Sequence, residues 1–187
     1  MSKFLLLLGP SGVGKSMIIK ELIKLDERFI YISPYITRPL RDGEKDKISV
    51  SDLEIDDMQS RGELLVINPL YGVRYATPRT PIVKALSEGF FPVLDWPINR
   101  IQVMIEVFPK KLYPVYIAPP SIEVLAQRLA KDNRDLDGNR LESARKELEA
   151  FWLGKYKDFY NLSVVSENDD ISNIASLIYV NYLKSFY

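Results

Sequence analysis

The chain of 187 residues is long enough for one domain with a hydrophobic core, and 47% hydrophobic with 27% charged residues is the balance of a folded globular protein. Its 25 basic and 25 acidic side chains cancel, so no global field favours nucleic acid or a membrane surface, and a small anionic ligand needs a local basic pocket. Cysteine and histidine are both absent, which excludes disulfides, thiolate or histidine-ligated metals, cysteine nucleophiles and Ser-His-Asp hydrolysis, and fits a reducing, cytoplasmic setting.

In chain order, the apolar run "KFLLLL" is the pattern of a strand buried on both faces of a parallel sheet, and is too short for a signal-peptide core or a membrane span. Lys15 to Leu25 reads as a helix whose apolar stripe is Ile18, Ile19, Leu22, Ile23 and Leu25. Phe29 to Ile32 is a short strand ended by Pro34, and Tyr35 to Val50 is charged and turn-rich. Ser51 with Glu54 forms the signature of a capping box. "ELLVIN" and the segment through Tyr75 are strands of a small lobe. Thr77-Pro78 reads as an N-cap followed by proline at the first helical position, with Gly89 closing that helix.

"FFPVLD" is another buried strand, which Pro92 assigns to an edge or to a start after it. Ile98 to Phe108 is helical, Leu112 to Ile117 a strand, and Ser121 caps a helix through Leu129. "KDNRDLDGN" reads as a loop, Leu141 to Phe159 as one long helix, "LSVVS" as a last strand and Ile171 to Leu183 as the closing helix. Strands alternating with helices predict an α/β fold: a parallel sheet covered by helices on both faces.

Directly after the first strand comes "GPSGVGKS", Gly9-Pro10-Ser11-Gly12-Val13-Gly14-Lys15-Ser16, which satisfies G-x-x-x-x-G-K-[ST]. The glycines let the backbone curl until successive N–H groups point at phosphate oxygens, and the helix that follows adds its positive end. Lys15 neutralises β- and γ-phosphates and the Ser16 hydroxyl holds Mg2+ in such a loop. The alternative, a glycine-rich turn with a chance lysine, is disfavoured by the position between a strand and a helix. A carboxylate at a neighbouring strand end normally positions the metal or its waters, and Asp95 closes "PVLD". Arg38 and Arg41, flanking Pro39 and Leu40, suit a bidentate grip on a second phosphate; as arginines alone they read more readily as a solvated basic loop.

"GPSGVGKS", "TRPLRDGE", "YATPR", "VLD", "IAPPS" and "NDD" follow one another in the order and approximate spacing of guanylate kinases, so the chain resembles that family over most of its length. The resemblance implies a P-loop nucleoside monophosphate kinase fold, using ATP with Mg2+. It divides into a core of about 1–33 and 90–187, an acceptor-binding lobe of about 34–89 and a lid of about 130–140. It further implies that Arg38 and Arg41 hold the acceptor's phosphate, that Tyr75 belongs to the same site and that Thr77 contacts the base. Asp95 matches the first acidic residue of the family's "LDID". Arginines of the lid close over the phosphates; Arg128, Arg134, Arg140 and Arg145 are the candidates, Arg140 matching best and Arg145 a second family position. Asn168 matches an asparagine near the adenine of ATP.

The base-reading half departs from the family. Guanine presents N1–H and N2–H2 side by side, which a carboxylate accepts together, yet the position of the family's glutamate is Val66. The second acidic residue of "LDID" is Pro97, the serine before Arg38 is Pro34 with Ser33 one step away, and a family tyrosine falls at Lys47 or in a deletion. Glu63 and Asn68 are the polar side chains that reach this place if the register shifts. The expected reaction is phosphoryl transfer from ATP to a nucleoside monophosphate, GMP or dGMP first. The alternatives are a ribose 1,5-bisphosphate kinase, to which "YITRPL" also points, and a non-catalytic guanylate-kinase-like binding module, against which the complete P-loop speaks.

Overall fold

In a computed structural model, residues 3–70, 72–131, 135, 138–167 and 170–187 are described. The elements in chain order are β1 (Phe4–Leu8), α1 (Lys15–Leu25), β2 (Phe29–Tyr31), β3 (Tyr35–Ile36), β4 (Ile48–Ser49), α2 (Asp52–Ser60), β5 (Leu64–Leu70) and β6 (Val73–Pro78). There follow α3 (Thr80–Ser87), β7 (Phe91–Trp96), α4 (Ile101–Val107), β8 (Leu112–Ala118), α5 (Ile122–Lys131), α6 (Asn139–Trp152), β9 (Leu162–Val165) and α7 (Ile171–Lys184).

Alternation along β1 organises the larger sheet. Leu5 and Leu7 point into one core with Ile18 and Leu22 of α1 and Ile174 and Ile178 of α7. Phe4, Leu6 and Leu8 point into the other, with Ile82 of α3 and Ile101 and Met104 of α4. With both faces covered, every residue of the strand is apolar and buried. The sheet runs β2-β7-β1-β8-β9, all parallel, and places the end of β1 at its centre. This is the α/β architecture, a parallel sheet covered by helices on both faces, that the alternating pattern predicts.

A smaller, mostly antiparallel sheet of order β4-β3-β6-β5 carries α2 on one face. Ile55 and Met58 of α2 pack on Leu64 and Ala76, with Ile67 beside them. The residues alternating with Ile67 and Ala76, namely the paired Val66 and Thr77 and the paired Asn68 and Tyr75, therefore line the opposite face. Val66 there reaches the core of the larger sheet, so this face looks across at β7. A register shift between Leu64 and Val66 keeps both Leu64 and Ile67 on the α2 side.

Four expectations are corrected. Thr77 and Pro78 are strand, because pairing with β5 holds the chain extended through Pro78; the next Thr-Pro, Thr80-Pro81, starts α3 instead. Pro92 lies inside an interior strand. Phe91 N–H donates to Arg28 and Val93 O accepts from Ile32, so Pro92 faces β1, whose pairing begins only at Val93, and its missing N–H costs no ladder bond. The long helix stops at Trp152 because Gly154, at φ 75°, closes it with N–H bonds from Gly154 to Phe151 O and Lys155 to Ala150 O. The turn-rich segment contains β3 and β4, two residues each, too short to carry a period. The Ser51–Glu54 capping box is present in both directions. Among the described residues no helix is long and apolar enough to cross a membrane.

Candidate active site

Gly9 leaves β1 with φ 124° and passes so close to β8 that a Cβ would lie 2.2 Å from the carbonyl oxygen of Ile117. The loop then enters α1 through Gly14, whose helix start has neither a capping side chain nor an acidic residue in its first turn. Its amide end is thus left positive, as an anion requires. Lys15 Nζ folds back over the loop and donates to the carbonyl oxygens of Gly9 at 2.7 Å and Pro10 at 2.8 Å. Burial pushes its ammonium below the ordinary lysine value, opposed by the nearby carboxylates of Asp95 and Glu147. Ser16 stands exposed one residue further along.

Asp95 pairs in register with Leu7 of the adjacent strand, which puts its carboxylate beside the start of the loop. Its Oδ1 accepts from the Tyr31 hydroxyl at 3.0 Å. Burial raises the Tyr31 phenol well above its ordinary value, and the charges of Asp95, Asp46 and Glu44 add to the effect. On the other side, Tyr116 of β8 donates to Glu147 Oε1 at 3.1 Å. Burial raises that carboxyl's pKa, and Lys15 and Tyr116 pull it back.

Arg38 is gripped by Glu44 through two parallel bonds, Nη1 to Oε2 at 2.7 Å and Nη2 to Oε1 at 2.8 Å. The pair holds the Glu44 carboxyl down at about 2 and, with Tyr75 beside it, raises the guanidinium pKa further. Arg38 Nε remains buried with no hydrogen-bond partner among the described residues. Lys47 joins the same cluster, 3.5 Å from Glu44 and 3.1 Å from Asp46. Arg41 has its pKa lowered by burial first, then by the like charges of Arg38 and Arg140. Tyr75 and Thr77 share the face of the small sheet that looks across at β7.

Arg140, in the first turn of α6, donates from Nη1 to the Ser11 hydroxyl at 3.1 Å. Asp135 fixes that turn by accepting from the amides of Arg140 and Leu141. Arg128 of α5 instead bonds Ser166, at 2.9 Å to its carbonyl oxygen. Arg145 is exposed on α6, where its charge acts on Glu123 of α5. Arg134 and Asn168 lie outside the described residues. Pro97 begins the 3-10 turn Ile98–Arg100 after β7, and Pro34 is buried between β2 and β3.

Three site residues escaped the sequence reading. Tyr31 sits in an ordinary strand run with nothing to mark it. Glu44 lies inside "TRPLRDGE", where nothing local distinguishes it from Asp42 as the partner of Arg38. Glu147 was within reach, because it follows Arg140 by seven residues and therefore shares its helix face.

A central parallel strand, a glycine loop around a folded-back lysine, and arginines converging from the small sheet and α6 define a P-loop phosphotransferase. The sequence matches the family model "Guanylate kinase" over residues 1–179, and the chain belongs to the guanylate kinase family. A guanylate kinase of Thermobifida fusca is 37% identical over 148 residues, 76% of this chain and 75% of the relative. One of Rickettsia prowazekii is 31% identical over 181 residues, 94% and 87% of the two chains. The fold is that of the crystal structure of guanylate kinase from Anaplasma phagocytophilum, with a TM-score of 0.77 at 24% identity, covering 98% of this chain and 85% of that one.

Proposed function

We propose that the chain transfers the γ-phosphoryl group of ATP to GMP, giving ADP and GDP, with 34–89 as acceptor-binding lobe and about 130–140 as lid. The observation that carries this reading is the meeting of two anion sites. Arg140 is bonded to Ser11 of the P-loop, and its charge is felt by Arg41, which lies in the field of Arg38. Arg38 is already paired with Glu44, whereas Arg41 is held below its ordinary value by burial and by these like charges, and an incoming phosphate would offset both.

The residues present fit a magnesium nucleotide: the helix end after Gly14 is uncapped and has no acidic residue in its first turn, which leaves its backbone amides for phosphate oxygens. Ser16 and Asp95 would hold the metal, which would neutralise the phosphates' charge. Lys15 would leave the Gly9 and Pro10 carbonyls for phosphate oxygens. Arg38 and Arg41 bind and orient the acceptor, Arg38 offering the Nε–H that Glu44 does not occupy. Arg140 stabilises charge on the moving group as α6 closes over the loop. No strong base is needed, since the attacking oxygen belongs to a phosphate already ionised.

ADP release should be measured with GMP, dGMP, AMP, UMP, CMP and ribose 1,5-bisphosphate as acceptors. GMP is expected to give the highest kcat/KM. Turnover of the sugar bisphosphate alone, or of none, overturns the proposal.

A further inference from the structure

The face proposed to receive the acceptor carries Val66 where the family has a carboxylate, and it holds a buried polar side chain whose oxygen has no hydrogen-bond partner among the described residues. Asn68 is 3% exposed, and its Oδ1 has no hydrogen-bond partner among the described residues. A buried amide oxygen without a donor is a cost that folding does not explain, and a donor brought by a ligand does. Asn68 lies directly across from Tyr75, and the next rung of the same face pairs Val66 with Thr77. Its carboxamide is therefore set between the phosphate grip at Arg38 and Tyr75 and the Thr77 hydroxyl. Glu63 is not a rival, because it is exposed and its carboxylate is taken by Arg61 at 2.7 Å.

Resting on the reaction proposed above, we propose that Asn68 is the base-reading residue of this chain: its Oδ1 accepts the N1–H of a purine 6-oxo edge, replacing the carboxylate absent at Val66. A carboxylate has two oxygens and meets N1–H and N2–H2 of guanine together. A carboxamide has one acceptor oxygen, so only N1–H is read. GMP and IMP share that donor, whereas AMP presents a lone pair at N1. The chain is accordingly a 6-oxopurine reader with weak discrimination between guanine and hypoxanthine.

The test uses the wild-type chain, Asn68→Leu and Asn68→Asp, with calorimetric binding of GMP, IMP, AMP and dGMP beside steady-state kinetics and thermal melts. Wild-type protein is expected to bind GMP and IMP within about tenfold of each other and AMP far more weakly. Asn68→Leu should weaken GMP and IMP by roughly 10- to 100-fold, leave AMP and the KM for ATP unchanged, and not lower the Tm, because it removes an unpaired buried oxygen. Asn68→Asp keeps the acceptor and should keep the preference. Should leucine not fit, Asn68→Val removes the same oxygen in a strand-favouring shape.

An unchanged GMP-to-AMP ratio in a folded Asn68→Leu overturns the assignment. So does an equal loss on every nucleotide, or a change confined to GMP against dGMP, which would place the carboxamide on the ribose. Wild-type protein that binds GMP and IMP over AMP without turning them over sinks the kinase reading while sustaining Asn68. Wild-type protein indifferent to the base sinks Asn68 whatever it phosphorylates.

Discussion

Arg140 Nη1 and Ser11 Oγ are 3.1 Å apart, a bond that ties the first turn of α6 to the crown of the P-loop across most of the chain's length. It couples the element proposed as the lid to the loop proposed to hold the donor. It also leaves the guanidinium where its charge reaches Arg41.

Replacing Arg140 by alanine should lower kcat by about 10²- to 10³-fold, the usual consequence of removing one preorganised charge from a transition state, with a smaller change in ATP affinity. Steady-state kinetics against fluorescent ATP-analogue binding separate the two. An unchanged kcat would show that the bond to Ser11 is structural only.

Lys15→Ala should abolish transfer, with a fall of roughly 10³-fold or more, while circular dichroism shows an intact fold. The carbonyl oxygens of Gly9 and Pro10, both at the open loop, lose a hydrogen bond, and Asp95 and Glu147 lose the charge of a neighbouring ammonium. Retained activity would mean that the lysine's place over the loop has nothing to do with phosphate.

Glu44 offers a pH test. Its folded carboxyl sits at about 2 against an ordinary 4.5, so its contribution to stability is complete above 4.5 and is lost as pH falls through about 2. The melting temperature of the wild type should exceed that of Glu44→Gln by a constant margin from pH 8 to 5, equivalent to about 1–3 kcal/mol, and the margin should shrink below pH 4.5. The variant also leaves one acceptor oxygen where Arg38 now has two, so the guanidinium loses its fixed orientation and the KM for GMP should rise while that for ATP stays. A margin that persists to pH 2 would contradict the pairing.

Gly9→Ala asks for a methyl group 2.2 Å from the Ile117 carbonyl oxygen at a φ of 124° that alanine avoids. Urea unfolding should show a loss of about 3 kcal/mol, and ATP binding should fall with it as β1 and β8 are forced apart. Gly43→Ala, with nothing near its Cβ, is the control and should cost less than half as much.

Much of this was written in local patterns. The P-loop is contiguous, and one glycine-lysine spacing specifies strand, turn and helix together; α1 spans Lys15–Leu25 as read, although of its apolar stripe only Ile18, Ile19 and Leu22 are buried, Ile23 and Leu25 being exposed. The capping box of α2 needs only Ser51 and Glu54. Errors arose where partners far along the chain decide the outcome. Thr77-Pro78 has every local mark of a helix start and is held extended by β5, and Pro92 is tolerated inside the sheet only because of where pairing with β1 begins.

The sequence by itself determined the donor half of this protein, because a phosphate cradle is built from neighbouring backbone amides and one lysine, all within eight residues. The acceptor half was decided by tertiary structure. Which of Glu63, Val66 and Asn68 faces the cleft depends on a register shift in β5 and on pairing with β6, and a shift of one residue sends a side chain to the other face. Only the folded sheet turns Glu63 out to Arg61 and buries the carboxamide of Asn68 beside Tyr75.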